Sequence, residues 1–291
     1  MKRAASSRKL VAVVVPLSLN PALTPAEELS IQHLEHYLGG YDRYLIAPRG
    51  VSIQRRGFQV RHLPRKFFGS KAAYNRLMMW PPLYRAFEDY QYILVYQLDC
   101  LVLSDQLAHW CGAGWDYIGA PWVPCDDTPW VKQAHVGNGG FSLMKVSSVL
   151  QVLANRYRQK PMSYWTDMVL RNSDYAGPLV RALEAAHRVL PGSTILARCA
   201  RMWRVSEHPA EHGENNDRFW SVQAVRYLSS FKVAPVDDGL RFAFEAAPRL
   251  CFELSGRQMP FGCHAWEKFD RAFWEPHLLS AGAGGLSATD V

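Results

Sequence analysis

The chain has 291 residues, 48% of them hydrophobic and 20% charged, with a formal net charge of +7. That composition excludes a disordered chain and suffices for one substantial core or at most two small domains. No apolar run reaches about 18 residues, so no transmembrane helix is expected. None of the six cysteines stands in a Cys-x-x-Cys pair, which speaks against a zinc ribbon and fits reduced thiols in a cytosol.

The chain opens on Lys2, Arg3, Arg8 and Lys9 followed by apolar Leu10–Leu19, which imitates a secretory leader. Pro16 interrupts that run and no small-x-small cleavage site follows, so Leu10–Val15 reads as a first buried strand and the protein as cytoplasmic. Thr24-Pro25-Ala26-Glu27-Glu28 carries a cap, a first-turn proline and acidic residues at the positive end of a helix, which runs to Leu38 and stops at Gly39-Gly40. Tyr44–Ala47 and Gln59–Leu63 follow as short strands. Strand, helix, strand opens an α/β fold with a parallel sheet.

Tyr74–Phe87 reads as helical with a break at Pro81-Pro82, and Tyr92–Gln97 as the most strand-like segment of the chain. Trp115–Gly119 and Phe141–Lys145 are further strands, with a polar loop over Asp126–His135 between them. Helices are expected over Val146–Arg158, Leu179–Leu190 and Asp217–Leu228. Residues 10–279 form one domain in this reading, between a basic tail (1–9) and a disordered tail (280–291).

A basic run at Arg55, Arg56, Arg61, Arg65, Lys66 and Lys71 attracts anions without choosing among them, or is a solvated face. No zinc-finger spacing or RNA-binding aromatic signature accompanies it, so no nucleic-acid partner is expected. The 10 tryptophans and 13 tyrosines suit either sugar stacking or core filling.

Four segments can carry chemistry. Asp99 follows an apolar strand directly, where open α/β sheets place ligands, and a divalent cation with a diphosphate needs carboxylates there; a turn or cap aspartate is the plain alternative. Gly137-Asn138-Gly139-Gly140-Phe141-Ser142 permits unusual dihedrals and close backbone approach to a ligand, or makes a hairpin turn. Glu214-Asn215-Asn216-Asp217-Arg218-Phe219-Trp220 holds two carboxylates three residues apart, as a general base or as helix caps. Cys263-His264 offers a metal ligand or a phosphate contact, or a structural histidine.

In order along the chain stand Tyr74-Asn75-Arg76-Leu77, Tyr92–Asp99, Trp115-Asp116-Tyr117-Ile118-Gly119-Ala120-Pro121-Trp122, Gly137–Leu143, Asn216–Trp220, Leu240–Glu245 and Pro260–Trp266. Together they resemble the bacterial DUF5672 domain family and, more distantly, the GT-A glycosyltransferases. The resemblance implies a mixed sheet flanked by helices, a donor subsite at the strand end near Asp99, and Mn²⁺ or Mg²⁺ held by Asp99 and His264. The usual Asp-x-Asp motif reads here Gln97-Leu98-Asp99, so the first carboxylate is missing. Where the family has Glu-Asp before Phe-Trp, this chain has Asn216-Asp217, which leaves Asp217 as the candidate base with Glu214 as a substitute. Tyr74, Arg76, Gln97, Asn138, Gly139, Gly140, Asn216 and Trp220 are the expected donor and sugar contacts. The implied partners are a nucleotide-sugar donor, with UDP favoured, and a glycan, lipid-linked or other hydroxyl acceptor. A non-catalytic sugar-binding protein of the same fold is the alternative.

Overall fold

The computed structural model describes residues 8–20, 22–158 and 215–279. Residues 1–152 with 216–291 form one compact unit and residues 153–215 a second. The expected helix at Leu179–Leu190, the candidate Glu214, Cys199 and the tail beyond Leu279 lie outside the described residues.

The first unit is built on a six-stranded mixed sheet. β1 (Lys9–Pro16), β2 (Asp42–Pro48) and β3 (Gln59–Leu63) run parallel on one side, and β4 (Tyr90–Tyr96) pairs parallel with β1 on the other. Residues 11–15 of β1 and 92–96 of β4 are buried throughout, as expected of strands covered on both faces. The chain therefore winds away from β1 in two directions, and a switch point lies between β1 and β4. The remaining strands reverse direction: β9 (Phe141–Lys145) is antiparallel to β4, and β6 (Tyr117–Gly119) is antiparallel to β9.

Between these lie β5 (Leu101–Val102) and a two-stranded ladder of β7 (Pro121–Trp122) and β8 (His135–Val136). Later in the chain come β10 (Ala243–Phe244) and β11 (Gly262–Cys263). β10 and β11 are parallel, and β5 is antiparallel to β11, in a small second sheet.

The helix after β1, α1 (Pro25–Leu38), begins as its sequence dictates. Thr24 Oγ1 accepts from the Glu27 amide (3.2 Å) and Glu27 Oε2 accepts from the Thr24 amide (2.7 Å), a reciprocal capping box. The expected break at Pro81-Pro82 is a new start: α2 (Lys71–Met78) ends first, and α3 (Pro81–Arg85) opens on the two prolines, whose missing amides cost nothing in a first turn. α4 (Leu107–Gly112) packs on the sheet beside β1. After α5 (Val146–Arg158), the expected helix at Asp217–Leu228 runs as α6 (Asn216–Arg218), a π-helical turn over Phe219–Gln223 and α7 (Ala224–Tyr227). α8 (Val236–Phe242) and α9 (Pro248–Leu254) complete the part that frames the site.

Part of the basic run is spent on architecture. Arg55 pairs with Glu28 (2.9 Å) and Glu35 (3.0 Å) of α1, and the Arg61 guanidinium stacks over Tyr44 and Phe87. The five cysteines among the described residues are free thiols. No helix of the described residues is long and apolar enough to cross a membrane.

His33, fully buried on α1, clasps two distant segments. Its Nδ1 lies 2.9 Å from the Val102 carbonyl, and its Nε2 accepts from the Leu279 amide at 3.0 Å. Nε2 must therefore be bare, and burial holds the ring below its ordinary pKa of 6.5. The unfolded chain takes up this proton first as pH falls, so the contribution is complete above about 6.5 and lost below it. Replacing His33 by Leu is expected to cost roughly 1–3 kcal/mol at pH 8 and to flatten the acid side of the melting-temperature profile. An unchanged acid slope in the variant would show that His33 does not titrate on unfolding.

Candidate functional site

Two strand arrangements bring the site together at the carboxyl end of β4. β9 is antiparallel to β4 with Tyr96 opposite Phe141, so the 137–140 loop necessarily lies beside Gln97 and Asp99. The Gln97 amide donates to the Gly140 carbonyl at 2.9 Å. In the small sheet, β10 and β11 leave by the same edge at which antiparallel β5 enters. That places Glu245 (after β10), His264 (after β11) and Asp99-Cys100 (before β5) side by side.

The loop is held from within. Asn138 Oδ1 accepts from the amides of Gly140 (2.8 Å) and Phe141 (3.1 Å). Its carbonyl meets the Tyr117 hydroxyl at 2.7 Å. The glycines of this loop do not take the left-handed conformations the sequence suggests; they make room. A β-carbon at Gly137 would overlap the Trp122 ring, one at Gly139 would overlap Asp217, and one at Gly140 would overlap His264 Nε2. The Asp116–Trp122 segment is the loop's buttress. Asp116 accepts from the Lys232 amide and Ser148, Gly119 admits the Asn138 carbonyl, and Trp122 reaches Glu245.

Glu245 is the centre of the polar network. Its Oε2 accepts from Trp122 Nε1 (2.6 Å), and its Oε1 from Asn138 Nδ2 (2.7 Å) and His264 Nδ1 (2.8 Å). On the far side of the ring, His264 Nε2 lies 3.0 Å from Gln97 Oε1 and 3.3 Å from Asp99 Oδ1. Burial pushes the imidazole down, but Asp99 and Glu245 outweigh it and bring its pKa up to about 10. Burial pushes both carboxyls up, yet His264 holds Asp99 and Glu245 below the usual carboxylate range. Among the described residues Asp217 has no such ion pair. Burial first, and then the charge of Glu245, raise it to about 6, while His264 and Lys71 pull the other way.

Three atoms could face a cation: Asp99 Oδ1, Gln97 Oε1 and His264 Nε2. Cis ligands of a six-coordinate ion with bonds of about 2.1 Å stand about 3 Å apart, close to the spacing found here. Nδ1 is engaged by a carboxylate, the usual second partner of a metal-binding imidazole. Cys100 is also within reach of Asp99 and His264. Burial raises its thiol well above the ordinary range and its Sγ donates to the Gly140 carbonyl, so it is no ligand for a hard ion. The donor set thus fits a hard divalent cation.

The other expected contacts are placed as follows. Asn216 is buried, its Nδ2 donating to Asn75 Oδ1 at 2.7 Å, while its Oδ1 is unpaired among the described residues. The Tyr74 hydroxyl is likewise buried, with the Gln97 side chain as its hydrogen-bonding neighbour. Asn138 faces inward and holds the loop. Arg76 is exposed and donates to the Lys66 carbonyl. Trp220 is in the core, packed edge-on against Tyr84 and Phe219, so its ring is closed to a ligand in this conformation. Sequence reasoning missed Glu245, Trp122 and Asn75. No apolar run announced Glu245, since Arg241 and Phe242 end a helix and the strand before it is only Ala243–Phe244.

The family model of DUF5672, described as a protein of unknown function, matches residues 57–264. No curated protein matches the chain. Among solved structures, it is similar to a glycosyltransferase involved in the glycosylation of the major capsid of PBCV-1, at 12% identity and a TM-score of 0.46, over 92% of this chain and 98% of that one. It is also similar to the galactosyltransferase LgtC in complex with donor and acceptor sugar analogues, at 13% identity and a TM-score of 0.41, over 87% and 86%. At these scores the two likenesses carry no argument about this chain.

The close approaches make unequal demands on two glycines. A β-carbon at Gly119 would meet the Asn138 backbone, which cannot move alone, whereas one at Gly139 would meet the carboxylate end of Asp217, which can swing. Gly119→Ala is expected to destabilise more than Gly139→Ala, by about 1–3 kcal/mol in chemical denaturation. Equal losses would mean that Asp217 is as fixed as backbone.

Proposed function

This chain belongs to the DUF5672 family, and we propose that it is a glycosyltransferase that moves a sugar from a nucleotide-sugar donor, a UDP-sugar by preference, to a hydroxyl acceptor. The observation that carries the reading is the convergence of Asp99, His264, Gln97 and Asp217 at the carboxyl end of β4, beside the switch point of the sheet. Open α/β sheets bind their ligands in that crevice.

The donor diphosphate lies at Asp99, Gln97 and His264 in this reading. Mn²⁺ or Mg²⁺ bound there would supply positive charge to the leaving diphosphate. Asn216 Oδ1, unpaired among the described residues, and the buried Tyr74 hydroxyl give a sugar what it needs, one acceptor and one hydroxyl able to donate. Buried polar atoms without partners call for an explanation, and a hydroxyl-rich ligand is one. The acceptor is a glycan, a lipid-linked glycan or another hydroxyl compound.

Asp217 is the base. Its carboxylate takes the proton of the acceptor hydroxyl as that oxygen attacks the anomeric carbon, and the bond from that carbon to the diphosphate breaks with its electron pair leaving on the nucleotide. The single displacement inverts the anomeric centre. A carboxyl raised to about 6 by its surroundings is mostly ionised at neutral pH, yet more basic than a free aspartate.

A second reading is a non-catalytic nucleotide-sugar or carbohydrate-binding protein. What favours it is Gln97, an amide where a carboxylate is expected, with its oxygen already facing His264. Donor binding without turnover over a broad acceptor panel would select it.

Thermal-shift measurements with UDP, GDP, CMP, dTDP and ADP, each with and without Mn²⁺, test the donor site. A nucleotide at 100 times its dissociation constant adds about 2.7 kcal/mol of stability. One nucleotide is expected to stabilise the protein, more strongly with Mn²⁺, and Asp99→Ala to lose that gain; no stabilisation by any of them would sink the proposal.

Once a donor is known, Asp217→Asn is expected to lower turnover by about 10²–10⁴-fold with donor affinity near wild type. Because the deprotonated form acts, kcat/KM should rise with pH through about 6. A wild-type profile flat across that range would remove Asp217 from the role.

A further inference from the structure

We infer that Asn75 and Asn216 form a second hydroxyl subsite beside Asp217, so that the acceptor is a sugar with a free hydroxyl next to the one that reacts. Asn75 is the positioning residue, and Asn216 holds the neighbouring hydroxyl without taking its proton. The inference rests on the transferase reading, which supplies Asp217 as the base.

The Asn75 side chain can face Asn216 in only one way. The Asn216 backbone amide can only donate, and it lies 3.5 Å from Asn75 Oδ1. Turned over, Asn75 would set its NH₂ group against that N–H. Its oxygen therefore stays, and the atom of Asn216 that meets it at 2.7 Å is the donor Nδ2. Asn216 is thereby fixed as well, because flipping it would bring two amide oxygens together. Its Oδ1 is turned to Gly139, 2.9 Å from the place a β-carbon there would take, and Asp217 Oδ1 stands closer still to the same place. Asp217 also accepts from the Gly139 amide. Both oxygens thus lie on one face of a residue that has no side chain.

Two acceptors side by side suit a ligand that brings two donors. An ionised phosphate or carboxylate brings none and is repelled by Asp217. Adjacent hydroxyls of one sugar bring one each. Asn216 is buried and its oxygen is unpaired among the described residues, the condition in which a missing partner costs most. The two side chains differ in what they do to a hydroxyl, since the carboxylate can take a proton and the amide cannot. The hydroxyl at Asp217 is therefore the nucleophile: its oxygen bonds to the anomeric carbon, its proton goes to Asp217, and the diphosphate leaves with the electron pair. The hydroxyl at Asn216 keeps its proton and orients the sugar, so the same pair selects the linkage.

The test uses the full wild-type chain with the nucleotide-sugar it hydrolyses or transfers fastest. The acceptors are the methyl glycosides of glucose, galactose and mannose and their monodeoxy forms. Removing a hydroxyl next to the reacting one is expected to lower kcat/KM by about 10–100-fold. Asn75→Leu releases Asn216 to turn, so the ratio between parent and deoxy acceptor should fall to near one. Asn75→Asp keeps an acceptor for both Asn216 N–H groups and should keep the ratio. A merely structural role for Asn75 would slow both acceptors alike and leave the ratio unmoved. Equal rates on parent and deoxy acceptors in the wild type overturn the inference, as does an unchanged ratio in Asn75→Leu; the first comparison needs no variant and stands if Asn75→Leu does not fold. Donor hydrolysis with no transfer to any of these glycosides overturns this inference alone. Neither hydrolysis nor transfer with any nucleotide-sugar ends the transferase reading and this inference with it.

Discussion

Gly140 gives its carbonyl to the amide of Gln97 and leaves to the His264 ring the space a β-carbon would fill. The site follows from that packing. Were the 137–140 backbone displaced by a side chain, His264 could not stand between Glu245 and Asp99, and the end of β4 would lose its imidazole. The loop is pinned to the sheet at one end by antiparallel pairing with β4, and from behind by Tyr117, Gly119 and Trp122. Much of the aromatic complement is spent here and in the core: Phe141, Phe242 and Phe261 pack on one another beneath the loop.

The electrostatics are set by how few cations serve how many carboxylates. Asp99, Glu245 and Asp217 gather around one imidazole. His264 contacts the first two and depresses both, and its own proton is held by them in turn. Asp217 is pushed up by burial first and then by the like charge of Glu245, which His264 and Lys71 offset only in part. Two kinds of carboxylate result from one network, one kind firmly ionised and the other poised near neutrality. Environments that drive titratable groups apart in this way mark candidate acid–base chemistry.

The sheet was legible in the sequence because its strands are unusual strings. Leu10–Val15 and Tyr92–Gln97 are nearly continuous apolar runs, and Gln59–Leu63 and Phe141–Lys145 fall on strands with the same limits. The two-residue strands β5, β10 and β11 carry no such pattern; they exist because tertiary packing pairs them. Their role was invisible for the same reason, and with it Glu245, whose partners lie 123 and 107 residues away in sequence at Trp122 and Asn138. The Gly-rich loop was readable as a place of close approach, but not what approaches. It is the protein's own His264, Asp217 and Trp122 that fill the gaps the glycines leave. Trp220 stands three residues from Asp217, a spacing that puts the two on one side of a regular α-helix. The intervening π-helical turn breaks that spacing, and the ring goes to the core.

At Gln97 the chain has an amide where the resemblance implies a carboxylate, and the charge balance gives the departure a physical sense. Its amide oxygen faces Nε2 at 3.0 Å and does so without a charge. A carboxylate in its place would be a fourth in the cluster, opposite a single imidazole. Such a group would strengthen a hard cation's site by a full negative charge. It would also add like charge near Asp217, which burial and Glu245 have already moved to about 6. Nearby negative charge raises a carboxyl further, and a base pushed past neutrality is protonated when it should act. In the proposed reading the amide keeps an oxygen in the cation's reach while sparing the base, so a site with one fewer carboxylate would trade affinity for the ion against ionisation of Asp217.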